Sequence, residues 1–199
     1  MIRHEYGAGA VKWALWFLEF RATLELLSEG LTWDEIKKKV ETENLYGTSS
    51  KARALQIFSS TKKRLALADE GFIKCFLEAD LASKKLAALG LAMLQDSLLF
   101  DLVYEVIRDK LVLHLDEFSD GDIKVFFMAK QQQNEKAATW TEATIDRLIR
   151  SYRHMMSEGG LIVLGKGKHK INKILMDSTM VTWFVSRDYE PVMAAVLGR

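Results

Sequence analysis

The chain has 199 residues and a formal net charge of +1, with 49% apolar and 28% charged residues. This is the composition of an ordinary globular protein, and the length is sufficient to bury a core in one domain or in two compact lobes. Pro191 is the only proline and long Gly/Ser tracts are lacking. We therefore expect a mostly helical protein with short connections.

The composition also excludes a membrane protein and a disulfide scaffold. A membrane span needs about 20 mostly apolar residues. The most apolar region, residues 86–107, is interrupted by Gln95, Asp96, Asp101 and Glu105, so we expect two core helices that meet near Asp96. Cys75 is the only cysteine, which rules out an intramolecular disulfide and favours a reducing cytoplasm. Glu5 and Lys12 stand where a secretory signal would need an apolar run.

The N-terminal part predicts three helices. Aromatic and leucine residues at helical spacing predict a first helix over Ala10–Ser28, with a core face of Trp13, Trp16, Phe17, Phe20, Leu24 and Leu27. Thr32-Trp33-Asp34-Glu35 has the pattern of a capping box that opens a second helix ending near Glu43. Ser49 or Ser50 then caps a third helix that reaches about Ala68.

The third helix is a candidate DNA-contacting element. No acidic residue occurs between Ser49 and Arg64, whereas that stretch contains the basic residues Lys51, Arg53, Lys62, Lys63 and Arg64. A short helix, a loop and a basic helix follow the order of a helix-turn-helix unit, although the loop is longer than usual. A solvated basic face is the equally open alternative.

The middle of the chain predicts further helices over residues 72–77, 81–94 and 98–110, and then a short extended run at 111–115. Ser119 caps a helix to about Gln131, and residues 131–136 form a polar loop. We therefore divide the chain into an N-terminal lobe, 1–115, and a C-terminal lobe, 116–199. Each lobe is expected to contain a helix-turn-helix-like unit.

Residues 139–173 have the profile of a winged helix. With about 100° per residue, Ile145, Leu148, Tyr152, Met155 and Met156 share one face of a helix, and Arg147, Arg150, Arg153 and His154 share the opposite edge. Thr139 or Thr141 caps the helix, and Gly159-Gly160 ends it. A β-run at Leu161–Leu164 and a tip with Lys166, Lys168 and Lys170 would form the wing of a β-hairpin. An amphipathic helix with solvated cations is the alternative.

The sequence offers no catalytic constellation. The four histidines lack metal-ligand spacing, and Gly165–Lys168 lacks the spacing of a phosphate-binding loop. The carboxylates Asp116, Glu117, Asp120 and Asp122 stand near a helix start, where capping explains them better than catalysis does. We expect no enzyme, no cofactor and no metal site.

Blocks of residues along the chain resemble the BrxA family of bacteriophage exclusion (BREX) systems. They run from Tyr6 to Leu164 and comprise Trp16–Arg21, Leu27–Ile36, Glu43–Tyr46, Val106–Lys110 and Trp140–Thr144. The resemblance implies a small, mostly helical, non-enzymatic cytoplasmic component of a phage-defence island, with two helix-turn-helix units and a DNA-binding surface. These blocks mark a fold family, and no catalytic residue is carried over from them.

The residues and the resemblance together predict a monomer that binds double-stranded DNA largely through its backbone. The predicted contacts are Arg147, Arg150, Arg153, His154, Lys166, Lys168 and Lys170 in the C-terminal lobe, and Lys51, Arg53, Lys62, Lys63 and Arg64 in the N-terminal lobe. Other components of the defence system are further expected partners, and a membrane is not. Two alternatives stay open: a protein scaffold of the defence complex, and a helical RNA-binding protein.

Overall fold

The structure is a computed structural model that describes residues 3–199. Two compact units are present: a small unit, Trp16–Glu78, and a large unit that combines the residues up to Leu15 with Ala79–Arg199. The boundary predicted at residue 115 falls inside the large unit, because the helices between residues 79 and 112 pack against the C-terminal helices. The predicted mostly helical fold with a short β-hairpin is confirmed.

The small unit contains α1 (Phe17–Ser28), α2 (Trp33–Thr42), α3 (Lys51–Leu65) and α4 (Glu70–Glu78). Thr32 and Glu35 form the predicted capping box at the start of α2, and the Ser50 hydroxyl accepts a hydrogen bond from the Arg53 amide to cap α3. The apolar faces of α2 and α3 meet in a core of Ile36, Val40, Ala54 and Phe58. The helices predicted near residues 32 and 50 are therefore confirmed.

The first predicted helix begins later than expected. Ala8–Lys12 form only a short 3-10 turn, and α1 starts at Phe17. Trp16 has a left-handed backbone with φ of 50°, which a right-handed helix cannot continue through. Trp13, predicted in the core, is 38% exposed, whereas Trp16 is buried.

The large unit is built on α5 (Leu81–Gln95), which is buried over most of its length. Asp96 then interrupts the helix. Its carboxylate accepts hydrogen bonds from the amides of Leu98 and Leu99 and so caps α6 (Ser97–Leu102). A π-helical segment, Val103–Arg108, joins α6 to α7 (Asp109–Val112). The prediction of two helices meeting near Asp96 is confirmed.

Within residues 3–199, no single helix has both the length and the apolar character needed to cross a membrane. The helix α5 and the helix through α6 and α7 satisfy that test only as a pair, which is bent by 117°.

The remaining elements are β1 (Glu117–Ser119), α8 (Asp120–Gln133), α9 (Glu135–Ala138), α10 (Glu142–Glu158), β2 (Ile162–Val163), β3 (Lys168–Ile171), α11 (Ser178–Val185) and α12 (Glu190–Leu197). The strands form an antiparallel sheet in the order β1-β3-β2. Phe118 pairs with His169, and Ile162 pairs with Ile171. One face of this sheet is buried, because Phe118, His169, Ile162 and Ile171 are each about 2% exposed.

Two predictions in this region are wrong. Residues 111–115 are not extended, because Leu111 belongs to α7 and the strand lies at Glu117–Ser119, where β3 supplies its partner. The polar loop predicted over 131–136 is instead the end of α8 followed by the short helix α9. The capping box at Ser119 and Asp122, by contrast, confirms the predicted start of α8.

Candidate nucleic-acid interface

The helix α10 has one buried face and one exposed face, as its sequence period predicts. Thr141 caps its start by accepting a hydrogen bond from the Thr144 amide, and Gly160 after its end has a φ of 77°. The buried face consists of Leu148, Ile149, Tyr152, Met155 and Met156. These side chains hold α10 against the core, so its opposite face is presented to solvent in a defined direction.

Three predicted contacts, Arg147, Arg150 and His154, lie on that exposed face. They are spaced by three and four residues, which places their side chains on one side of the helix. The Arg150 Nε donates a hydrogen bond to the carbonyl oxygen of Asp146 at 3.2 Å. Among the described residues, Arg147 and His154 form no ion pair, so their charge or hydrogen-bonding capacity is available to an outside partner.

Arg153 does not join this face. Its guanidinium forms an ion pair with the Asp120 carboxylate, including a 2.5 Å contact from Nη1 to Oδ2, and its side chain is 20% exposed. The His169 Nε2 lies 3.0 Å from Asp120 Oδ1. Burial raises the pKa of the Asp120 carboxyl, but the hydrogen bonds from Arg153 and His169 outweigh that effect, so its pKa lies below the ordinary value. The sequence period could not reveal this pairing, since Asp120 lies on another element.

The hairpin β2–β3 presents most of the predicted wing residues outward. Strand alternation turns Lys168 and Lys170 to solvent and buries His169 and Ile171. Lys166 is also exposed, at the tip between the strands. Lys168 Nζ lies 3.3 Å from Glu117 Oε2. Both side chains are largely exposed, so this ion pair is weak.

The second basic helix, α3, is more mixed than predicted. Lys51, Arg53, Lys62 and Lys63 are exposed, whereas Arg64 is only 3% exposed. The Arg64 guanidinium carbon lies 5.9 Å from the centre of the Trp16 ring, and that of Arg53 lies 5.0 Å from the same ring. Arg64 follows Ile57 and Thr61 by seven and three residues, and both of those are buried. This spacing was the available signal that Arg64 belongs to the packed face.

The structure has one basic groove that the sequence does not predict. A cavity of about 720 Å³ lies beside the sheet, and its lining includes Lys85 of α5 together with Lys170 and Lys173. Asp116 also lines it and forms an ion pair with Lys173, with 2.7 Å between Oδ1 and Nζ. The hydrogen bond from Lys173 lowers the pKa of the Asp116 carboxyl. Lys85 is far from Lys170 in the chain, so no local pattern could have joined them.

Comparison with known proteins agrees with the architecture. The sequence profile of the BrxA family matches residues 4–188. The chain belongs to the BrxA family. A relative from Bacillus cereus (strain H3081.97), named BREX protein BrxA, is 32% identical over 167 residues, which cover 84% of each chain. Membership of this family makes the chain a BREX protein, and the resemblance inferred from its sequence blocks is confirmed.

The BrxA fold also occurs in a solved structure of low sequence similarity. The crystal structure of an uncharacterized protein from Magnetospirillum magneticum superimposes with a TM-score of 0.80 at 17% identity. The match covers 98% of this chain and 100% of the other. At that identity, the comparison establishes a shared fold and nothing about activity.

Proposed function

We propose that this BrxA-family chain is a non-enzymatic component of a BREX phage-defence system that binds duplex DNA mainly through the phosphate backbone. The observation that carries the proposal is the exposed face of α10, where Arg147, Arg150 and His154 point away from the core. The basic hairpin with Lys166 and Lys168 follows that helix directly in the chain.

The order of the elements supports this assignment. A strand, β1, precedes the helices α8 and α10, and the hairpin β2–β3 follows them, with β3 placed between β1 and β2. In a helix-turn-helix unit the second of two helices enters the major groove. Here α10 would take that place after α8, with the short helix α9 in the connection between them. In this proposal α10 is the recognition helix and the β2–β3 turn is the wing.

Backbone contact, rather than base readout, fits the chemistry of the exposed residues. Lysines at a hairpin tip are flexible point charges, which suit phosphate oxygens better than they suit the fixed edges of bases. In the small unit, Lys51, Arg53, Lys62 and Lys63 of α3 are exposed and supply a second candidate contact. Arg64 and Arg153 are left out of the proposed contact set, because the first is buried and the second is paired with Asp120.

A salt series tests the proposal. If Arg147, Arg150, Lys166, Lys168 and Lys170 each neutralise one phosphate, the plot of log affinity against log salt should have a slope of about −4.5. The measurement is a gel shift with several duplexes of unrelated sequence. Equal affinity for all duplexes is expected, and an affinity that does not change with salt would refute the proposal.

The assignment to α10 is tested by the double substitution Arg147→Glu/Arg150→Glu, which should weaken binding strongly and make the slope shallower. The matched control is Lys37→Glu/Lys74→Glu, which makes the same change in net charge at exposed positions of α2 and α4. If the control weakens binding as much as the α10 variant does, net charge rather than the exposed face of α10 governs the affinity.

A protein scaffold is the second candidate function, and a separate surface favours it. Leu113, Leu115, Val125 and Met128 are between 45% and 68% exposed and lie on α8 and on the segment before β1. Clustered exposed apolar side chains are typical of protein-binding surfaces. A groove of about 520 Å³ is lined by Leu113, Leu115 and Val125, and its lining also includes Asp109 and Asp122.

Nuclease treatment separates the two functions. Other BREX components that remain bound to the tagged protein after nuclease digestion would support the scaffold, whereas their loss would support bridging through DNA. Competition among duplex DNA, single-stranded DNA and structured RNA tests the remaining alternative. Stronger competition by structured RNA than by duplex DNA would replace the DNA proposal with RNA binding.

A further inference from the structure

Asp120 connects three elements of the large unit. It is the first residue of α8, and its carboxylate accepts hydrogen bonds from Arg153 of α10 and from His169 of β3. Its own side chain is 40% exposed, that of Arg153 is 20% exposed, and that of His169 is 2% exposed. The carboxylate therefore stands at the border of the core, between the proposed recognition helix and the proposed wing.

The chain of hydrogen bonds continues into the wing itself. The backbone N–H of Gly165 donates to His169 Nδ1 at 3.2 Å. Since Nδ1 accepts this bond, the ring proton belongs on Nε2, where it is donated to Asp120. The His169 ring also packs 5.1 Å from the Phe118 ring, centre to centre. One buried side chain thus links the carboxylate to the turn that precedes Lys166.

The pairing of β2 with β3 ends at Val163 and Lys170, before the turn. β2 contains only Ile162 and Val163, whereas α10 is held by a complete buried face. Gly165 packs so closely on the neighbouring backbone that a Cβ there would lie 2.3 Å from the carbonyl oxygen of Lys168. The hydrogen bond from the Gly165 amide to His169 joins this tightly packed turn to a buried side chain.

We infer that Asp120 is a positioning residue that orients the β2–β3 hairpin against α10 through His169, so that Lys166 and Lys168 reach the same duplex as Arg147 and Arg150. This inference rests on the proposed DNA-binding function. Arg153 neutralises Asp120 and ties it to α10. The Asp120 contact then sets the distance between the arginines of α10 and the lysines of the hairpin, although Asp120 itself does not touch DNA.

The first experiment is independent of DNA. Amide hydrogen exchange of the whole protein, measured by NMR, should show on the order of tenfold faster exchange of the Gly165 amide in Asp120→Asn. The Asn172 amide, which donates to the Leu161 carbonyl at the base of the hairpin, should not change. Unchanged exchange of Gly165 would overturn the inference, whatever the protein binds.

The second experiment uses DNA and a matched control. In the wild-type background, Lys166→Ala/Lys168→Ala should make the salt slope shallower by about 1.8, the value for two lost phosphate contacts. Asp120→Asn alone should make the slope shallower by the same amount. In the Asp120→Asn protein, the two lysine substitutions should reduce the slope no further. The control Asp109→Asn makes the same charge change at an exposed carboxylate of α7 and should leave the slope unaltered.

A second variant guards against loss of the fold. His169→Gln leaves Asp120 and Arg153 in place, and it should also make the slope shallower by about 1.8. If Asp120→Asn and His169→Gln keep the full slope while the lysine substitutions reduce it, the positioning role is refuted and DNA binding stands. If the wild-type protein does not bind DNA, the proposed function fails, and the exchange of the Gly165 amide alone decides whether Asp120 orients the hairpin.

Discussion

The buried hydroxyl of Tyr152 is a sensitive test of how α10 is held in place. Tyr152 is fully buried, and its hydroxyl donates a hydrogen bond to Asp96 Oδ2 at 2.9 Å. The other carboxylate oxygen of Asp96 caps α6 through the amides of Leu98 and Leu99. Burial and the nearby negative charge of Asp96 raise the pKa of Tyr152 well above its ordinary value, so the hydroxyl remains a donor throughout the accessible pH range.

Tyr152→Phe removes this donor and keeps the ring, which lies parallel to Phe127 with centres 6.4 Å apart. A hydrogen bond to a charged acceptor contributes about 1.5–3 kcal/mol. Because Asp96 retains its two amide donors, we expect the lower end of that range, a loss of about 1.5 kcal/mol in the free energy of unfolding. Urea denaturation, followed by circular dichroism and analysed by linear extrapolation, measures the loss.

The matched control is Tyr104→Phe in the same unit. The Tyr104 ring stacks on Phe100 with centres 5.4 Å apart, and its hydroxyl forms no hydrogen bond with a described residue. This control should change the free energy of unfolding by less than about 0.5 kcal/mol. Equal losses from the two substitutions would show that the contact with Asp96 does not stabilise the corner between α5 and α6.

Three further predictions concern basic residues of α3 and the carboxylate of Asp120. Lys62→Glu/Lys63→Glu should weaken DNA binding. Arg64→Ala should lower the free energy of unfolding by more than about 1 kcal/mol, since it removes a buried side chain beside Trp16. A gel shift measures the DNA binding, and a urea titration measures the free energy of unfolding. An unchanged urea midpoint for Arg64→Ala would contradict its packing role. Because the pKa of Asp120 is lowered by folding, its contribution to stability is present at neutral pH and is lost as the pH falls through its folded-state value. The difference in unfolding free energy between wild type and Asp120→Asn should therefore shrink below about pH 4, and a constant difference down to pH 2 would refute it.

Features with local causes were predictable from the sequence. The capping boxes at Thr32 and Ser119 need only residues three positions apart, and both are present. The exposed positions of Arg147, Arg150 and His154 follow from the helical period alone. The break at Asp96 was visible because a charged residue interrupts an apolar run.

Features with distant causes were not predictable. The strand β1 forms at Glu117–Ser119 because it pairs with β3, about fifty residues later in the chain, whereas the local pattern predicts an extended run at 111–115. The start of α1 depends on the left-handed backbone of Trp16, whose ring packs beside Arg53 and Arg64 of another helix. Periodicity alone carries no information about such partners.

By itself, the amino-acid sequence determined the helical class of the protein, the period of α10 and the concentration of cations in residues 139–173. Only the tertiary structure decided which of those cations are available. Arg147 and Arg150 remain exposed, whereas Arg153 is drawn to Asp120 and the hairpin is tied to the same carboxylate through His169. The physical reason is that helical phase sets the direction in which a side chain leaves its helix, but a charge from another element decides whether that side chain stays in solvent.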